Sequence, residues 1–194
     1  MLPSLSLTAF LLLLLLSVQP KEELRFRFIP KQQHETSCGL AAAAGALSLY
    51  WHIPVTERDL ALSLFGDKRP GKERISLATL KETLETWGVS SRGFWIPALQ
   101  LCSLTDHFSP LLVYFSKPEP HFALLLGEAS GVWILADPAE GTIFLSQREF
   151  EQRYGEVVLL MHPQGQPGRS MLVEEAKKYT LSRYRLLEQL PWEF

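Results

Sequence analysis

Apolar positions change rhythm once along this chain. Up to Gly88 they recur at helical spacing, and beyond it they come in short runs cut by glycine and proline. Ser37 precedes the alanine-rich stretch and is read as the N-cap of a helix from Cys38 to about Tyr50. Thr56 opens a second helix, TERDLALSLFG, with Asp59 at the capping-box position and Gly66 as its stop. Ser76 opens a third, SLATLKETLETWG, in which Leu77, Leu80 and Leu84 share a face and Gly88 ends the pattern. Between the last two lies GDKRPGKERI, polar and broken by Pro70 and Gly71, which predicts a mobile surface loop.

After Gly88, the runs VSSRGFWI, PLLVYFS, HFALLLGE, GVWILADP, GTIFL and EVVLLMHP read as strands. Ser146 to Tyr154 is one helix among them, opened by a Ser146–Glu149 capping box. Beyond QGQPGR, the tail MLVEEAKKYTLSRYRLLEQL reads as an amphipathic helix with Leu181, Tyr184 and Leu187 along one side. Helices first and a mostly antiparallel sheet second make an α+β domain. The organisation that follows is a leader over 1–20, a folded domain over 21–163, and a linker with a C-terminal helix over 164–194.

The leader, MLPSLSLTAFLLLLLLSVQP, has no charged side chain, and its apolar run from Leu5 to Val18 suits the h-region of an export signal. No Lys or Arg precedes the run and no small-x-small site follows it, so an uncleaved anchor with membrane association is the alternative. The remaining composition, 46% apolar and 21% charged over 194 residues, is that of one globular domain. A net charge of −2 with scattered basic residues lacks the footprint of a nucleic-acid binder. Export would expose two cysteines to an oxidising compartment, so a Cys38–Cys102 disulfide has to be weighed. The other reading of Cys102, in the apolar ALQLCSL, is a buried thiol acting as a small hydrophobe. With no CxxC, HExxH or paired-His spacing, and no glycine-rich phosphate loop, neither metal nor cofactor is expected.

One constellation could do chemistry. Cys38 falls in the first turn of a helix, where the dipole lowers a thiol pKa. Gly39 leaves room for a substrate backbone. The Cys38 backbone N–H and the side-chain amide of Gln32 could hold a developing oxyanion. A nucleophilic thiol wants an imidazole, and the imidazole wants an orienting carboxylate. Of the five histidines, His121 opens a strand after the rigid PEP. If the hairpin between the third and fourth strands turns on Ala129, His121 falls opposite Asp137. A lone histidine opening a strand and an aspartate before proline also have purely structural readings, so these residues alone leave a thiol hydrolase or acyltransferase and the structural reading equally open.

QQHETSCGLAAAAGAL, ISLATLKETLETWGV, GFWIPALQL, PHFALLLGE and ADPAEGTIFLSQREFEQRYGEVVLL add a further observation. In order and spacing they resemble the C39 peptidases, relatives of papain in fold. The resemblance spans roughly Phe28 to Pro163. It extends to stand-alone exported C39-like proteins, which are similar to the protease domains that trim bacteriocin leaders after a Gly-Gly pair. It implies a papain-like α+β fold, Cys38 as nucleophile, His121 as general base, Asp137 as the group orienting that base, and Gln32 as the oxyanion donor. It also implies a periplasmic peptidase of a Gram-negative bacterium, acting on an exported, glycine-rich polypeptide for a pilus or functional-amyloid export system. Trp95, Phe94 and the 66–74 loop would line its groove. Two alternatives stand beside it: an amidase or acyltransferase on the same residues, and a non-catalytic scaffold that binds an export substrate.

Overall fold

The structure, a computed structural model, describes residues 21–66, 75–166 and 169–189. The export-signal reading of 1–20 and the mobile-loop reading of 67–74 fall outside them. In chain order the elements are α1 (Lys21–Arg25), α2 (Cys38–Gly45, prolonged by a π-helical stretch Ala46–Tyr50), α3 (Glu57–Phe65), α4 (Leu77–Thr86) and β1 (Val89–Trp95). There follow α5 (Ala98–His107), β2 (Leu111–Phe115), β3 (His121–Ala129), β4 (Val132–Asp137), β5 (Gly141–Ser146), α6 (Gln147–Arg153), β6 (Tyr154–Pro163) and α7 (Leu172–Gln189). The strands form one sheet in the order β1-β6-β2-β3-β4-β5, antiparallel at every pair, so the α+β architecture is the one expected.

Each face of the sheet carries its own core, because strand alternation sends successive side chains to opposite sides. Leu112, Phe122, Leu124 and Leu159 meet α2, α3 and α4 on one face. Val113, Ala123, Leu125 and Val158 meet α5 and α6 on the other. Helix α2 is apolar all round and is buried all round, from Cys38 to Gly45. Its small residues permit this depth: a Cβ on Gly45 would lie 2.7 Å from Ile29 and from Pro30.

Three local expectations need correction. Ser37 does occupy the N-cap position of α2, but its side chain does not cap the helix. Its hydroxyl bonds instead to the His34 carbonyl at 2.8 Å and accepts the His34 N–H at 3.2 Å, closing the loop before the helix. The stretch ALQLCSL is not merely an apolar run but the body of α5, buried at Leu101 and 81% exposed at Leu99. Cys102 on this helix is only partly buried. It packs against the core opposite to that of Cys38, so both thiols are free and no bridge can join them. The tail helix presents Val173, Ala176 and Thr180 to the body of the domain, with Leu181 and Tyr184 on the margin of that stripe. Tyr179 meets Phe28 at 5.5 Å and Tyr184 meets Phe144 at 4.7 Å.

The β3–β4 hairpin decides where Asp137 goes. Its turn lies one and a half residues beyond the expected place: Ala129 pairs with Val132, and Ser130 and Gly131, at φ 55° and 80°, make the two-residue link. That register alone would set Asp137 opposite Leu124, on the wrong face for His121. Leu126 then bulges out of the ladder between the pairs Leu125↔Leu135 and Gly127↔Ile134. The bulge moves the register by one, so Asp137 continues the row of Ala123 and shares a face with His121.

Candidate active site

Cys38 is the first residue of α2 and 7% exposed. His121 is the first residue of β3, and its Nε2 lies 2.8 Å from Asp137 Oδ2. With Nε2 on the carboxylate, Nδ1 is the ring nitrogen left for sulfur, and thiol and imidazole each shift the other's pKa. Asp137, the last residue of β4 and 2% exposed, is itself fixed. Its Oδ1 accepts the N–H groups of Ala139 (2.7 Å) and Glu140 (3.1 Å), the closed turn that an aspartate before proline favours. Helix α1 seats on this turn: Arg25 donates to the Glu140 carbonyl at 3.1 and 2.7 Å. Gly141 (φ 86°) has no room for a side chain, since a Cβ would lie 2.4 Å from the Arg25 carbonyl. Sulfur, imidazole and carboxylate therefore act as one chain, hydrogen-bonded from Asp137 to His121 and coupled electrostatically from His121 to Cys38.

Gln32 joins the cleft but not that chain. Its backbone N–H donates to Pro138 O at 2.9 Å, lacing its loop to the Asp137 turn. Its Nε2 donates to the carbonyls of His34 (3.0 Å) and Glu35 (3.4 Å), while Oε1 is buried without a partner. An oxyanion would have to displace the longer, weaker of those two bonds. Three contributors carried no sequence signal. The backbone N–H groups of Phe122 and Gly39 point at the Cys38 sulfur. Glu57 reads as an ordinary first-turn acid, yet it is 7% exposed and accepts the Gln33 N–H at 3.0 Å, holding the loop that carries Gln32.

Two cavities meet at the thiol. One, of about 480 Å³, is apolar and runs along Gly39, Leu77, Trp95, Tyr114 and Phe122. The other, of about 550 Å³, holds Gln32, His121, Ala139 and Arg153. Thr36, Cys38 and Pro120 line both, so the thiol lies where the two cavities adjoin. Trp95, 79% exposed, lines the apolar side as expected. Phe94, one step along β1, is not among its lining residues.

The electrostatics favour an ion pair at rest. Burial opposes the imidazolium, but the hydrogen bonds to Asp137 and Cys38 and both charges outweigh it, and His121 is raised to about 10. Burial also opposes the thiolate, yet the His121 hydrogen bond, the Phe122 N–H, the His121 charge and the Gly39 N–H together bring Cys38 below its ordinary 9.0. With the thiol below 9 and the ring near 10, the proton resides on the ring. This has a consequence for stability. Above both 6.5 and the lowered thiol value, and up to 9, the unfolded chain and the folded pair each hold one proton. Their contributions cancel, so stability from the pair is level there and falls from 9 to about 10, where only the folded ring stays protonated. Cys38→Ala removes the compensation. Its His121, still held by Asp137, should then lose stability as pH rises above 6.5. Denaturant titrations at both ends of that window check this, and parallel curves for variant and wild type would sink the ion pair.

The model of the peptidase C39 family matches residues 27–166. The chain belongs to the peptidase C39 family. The chain is 28% identical over 152 residues to the "Probable functional amyloid protease FapD" of Pseudomonas aeruginosa, a match covering 76% of this chain and 66% of that protein. The C39 fold is shared with solved structures. The double glycine motif protease of an AMS/PCAT transporter, solved with its leader peptide, matches at TM-score 0.58 and 20% identity over 70% of this chain and 91% of that one. The peptidase domain of Streptococcus ComA, a bi-functional ABC transporter, matches at TM-score 0.59 and 18% identity over 70% and 98%. This papain-like chain is thus a member of a cysteine-peptidase family. Among the described residues, no group of three His, Cys, Asp or Glu could hold a metal ion, and no helix is long and apolar enough to cross a membrane.

Proposed function

We propose that this C39 member cleaves an exported polypeptide at a segment of small residues, by way of a thioester on Cys38. The observation that carries the reading is the series Cys38–His121–Asp137 set where two cavities adjoin. The thiolate attacks the scissile carbonyl carbon. Gln32 Nε2 and the Cys38 N–H receive the oxyanion. As the C–N bond breaks, the imidazolium gives its Nδ1 proton to the leaving amine. Water, deprotonated by the same nitrogen, then frees the acid. Asp137 holds the ring throughout.

A substrate that runs from one cavity into the other passes Thr36, Cys38 and Pro120, the residues that line both, and small residues suit that crossing. Glycine needs the least width there, in keeping with the double-glycine motif named for the transporter protease. The name of the Pseudomonas relative supports a functional-amyloid export system as the setting, and the apolar leader supports the periplasm as the compartment. The scaffold alternative relied on the tail helix as a contact surface, but that helix turns its apolar stripe into its own domain.

The test is incubation of the purified chain with glycine-rich exported proteins in heavy-oxygen water, read by mass spectrometry. Fragments whose new carboxyl termini carry the label, absent with Cys38→Ala, support hydrolysis. Transfer of the acyl group to an added amine in place of water would move the reaction to the acyltransferase class. Identical fragments from Cys38→Ala would overturn the assignment of the nucleophile.

A further inference from the structure

A third cavity, of about 260 Å³, lies beside the cleft, and Glu140 and Arg153 line both. Three guanidiniums line it, those of Arg25, Arg153 and Arg183, against the single carboxylate of Glu140. Among the described residues none of the three is in an ion pair. Arg25 donates to a backbone carbonyl, Arg153 lies over the Phe115 ring at 5.4 Å, and Arg183 lies over the Tyr179 ring at 5.9 Å. Two polar atoms in these walls are buried without a partner: Arg153 Nε and Oγ1 of Thr142, a residue only 6% exposed. Guanidiniums that meet no carboxylate among the described residues, around a hollow that also orphans a hydroxyl, make a site for an oxyanion, and the planar fork of Arg153 and Arg183 matches a carboxylate.

The position of the cavity says which carboxylate. His121 must reach the leaving amine, so the departing half of a substrate lies on the His121 side of the thiol. That is the cleft lined by Ala139 and Arg153. The acyl half takes the apolar groove past Gly39 and Trp95. We propose that the arginine-lined cavity is a subsite for an acidic side chain of the polypeptide, carried C-terminal to the cleaved bond. This direction rests on the peptidase reading above. The cavity lies on the leaving-group side, and Arg153 is the wall it shares with the cleft.

The test reads binding, not turnover. Full-length chain carrying Cys38→Ala is titrated with two fluorescent glycine-rich peptides of equal length, one bearing glutamates and the other glutamines in the second half. The glutamate peptide is expected to bind roughly fivefold tighter, the scale of a partly screened charge-assisted contact. Arg183→Gln and Arg153→Gln should each remove most of that preference. Arg185→Gln should leave it intact, because Arg185 is exposed on the same helix but does not line the cavity. Should Arg153→Gln fail to fold, Arg183→Gln carries the test alone. Equal binding of the two peptides overturns the proposal, as does an equal loss from Arg185→Gln, which would mean diffuse attraction. Inorganic phosphate that abolishes the preference while leaving the glutamine peptide bound would make this a free-anion site and overturn it too. Wild-type chain that shows this preference but cuts no glycine-rich polypeptide would sink the peptidase reading and leave the carboxylate site standing.

Discussion

His121→Ala is expected to lower cleavage by roughly 10³-fold or more, and to move the alkylation of Cys38 to higher pH in the same protein. The two effects share one cause. In the native site Cys38 is buried, which by itself raises its pKa, and the His121 hydrogen bond is the largest influence that reverses this. Without the ring, the Phe122 and Gly39 N–H groups remain, but the charge that held the thiolate is gone. Alkylation by an iodoacetamide-type reagent should then begin only near the pH of an ordinary thiol. The loss of turnover alone would not discriminate, since many substitutions where two cavities adjoin could block a substrate. The pH midpoint does. A His121→Ala protein that keeps its native circular dichroism and alkylates with the wild-type profile would show that the helix end, not the imidazole, activates Cys38.

How much of this could be read without coordinates depends on how local each signal was. The caps at Thr56 and Ser146 are contained in four consecutive residues, and both capping boxes form as expected. The place of Cys38 at the head of a helix is equally local, and the structure puts it there. The His121–Asp137 contact is different. The observed turn lies one and a half residues beyond Ala129, and the contact survives because the bulge at Leu126 returns Asp137 to the face of His121. Gly127, at φ 136° inside the strand, is the one residue of LLLGE that hints at a bulge, but Leu126 is as apolar as its neighbours and only tertiary packing decides which leucine leaves the ladder. Helix α5 was missed for a related reason: its buried residues, Leu101 and Thr105, are one helical turn apart within a run too short to show a period. Gln32 was found by its distance from Cys38 in sequence. That its amide is turned onto the carbonyls of His34 and Glu35 depends on a loop conformation that spacing cannot express.

Asp137→Asn is expected to cost about as much activity as the loss of the ring itself, roughly 10³-fold, although it preserves the shape of the side chain. The reason lies in the other oxygen. Asp137 Oδ1 already accepts two backbone N–H groups, from Ala139 and Glu140. An asparagine can satisfy both only by placing its carbonyl oxygen there, which turns its NH₂ toward His121 Nε2. A donor at Nε2 forces the neutral tautomer that carries its proton on Nδ1, and that nitrogen faces Cys38. The ring can then neither take the thiol proton nor be held as an imidazolium. The flipped amide would keep the tautomer but would set an NH₂ against two N–H groups in a site 2% exposed, leaving those donors unpaired at about 1–3 kcal/mol each. Asp137→Ala differs in kind, because it frees the ring to turn and unties the β4–β5 turn, so it should lose stability as well as activity. Measuring kcat/KM and denaturant midpoints for both variants separates the effects. Near wild-type turnover in a stable Asp137→Asn would mean that orientation suffices and the carboxylate charge is not needed. A loss confined to Asp137→Ala would point to the turn.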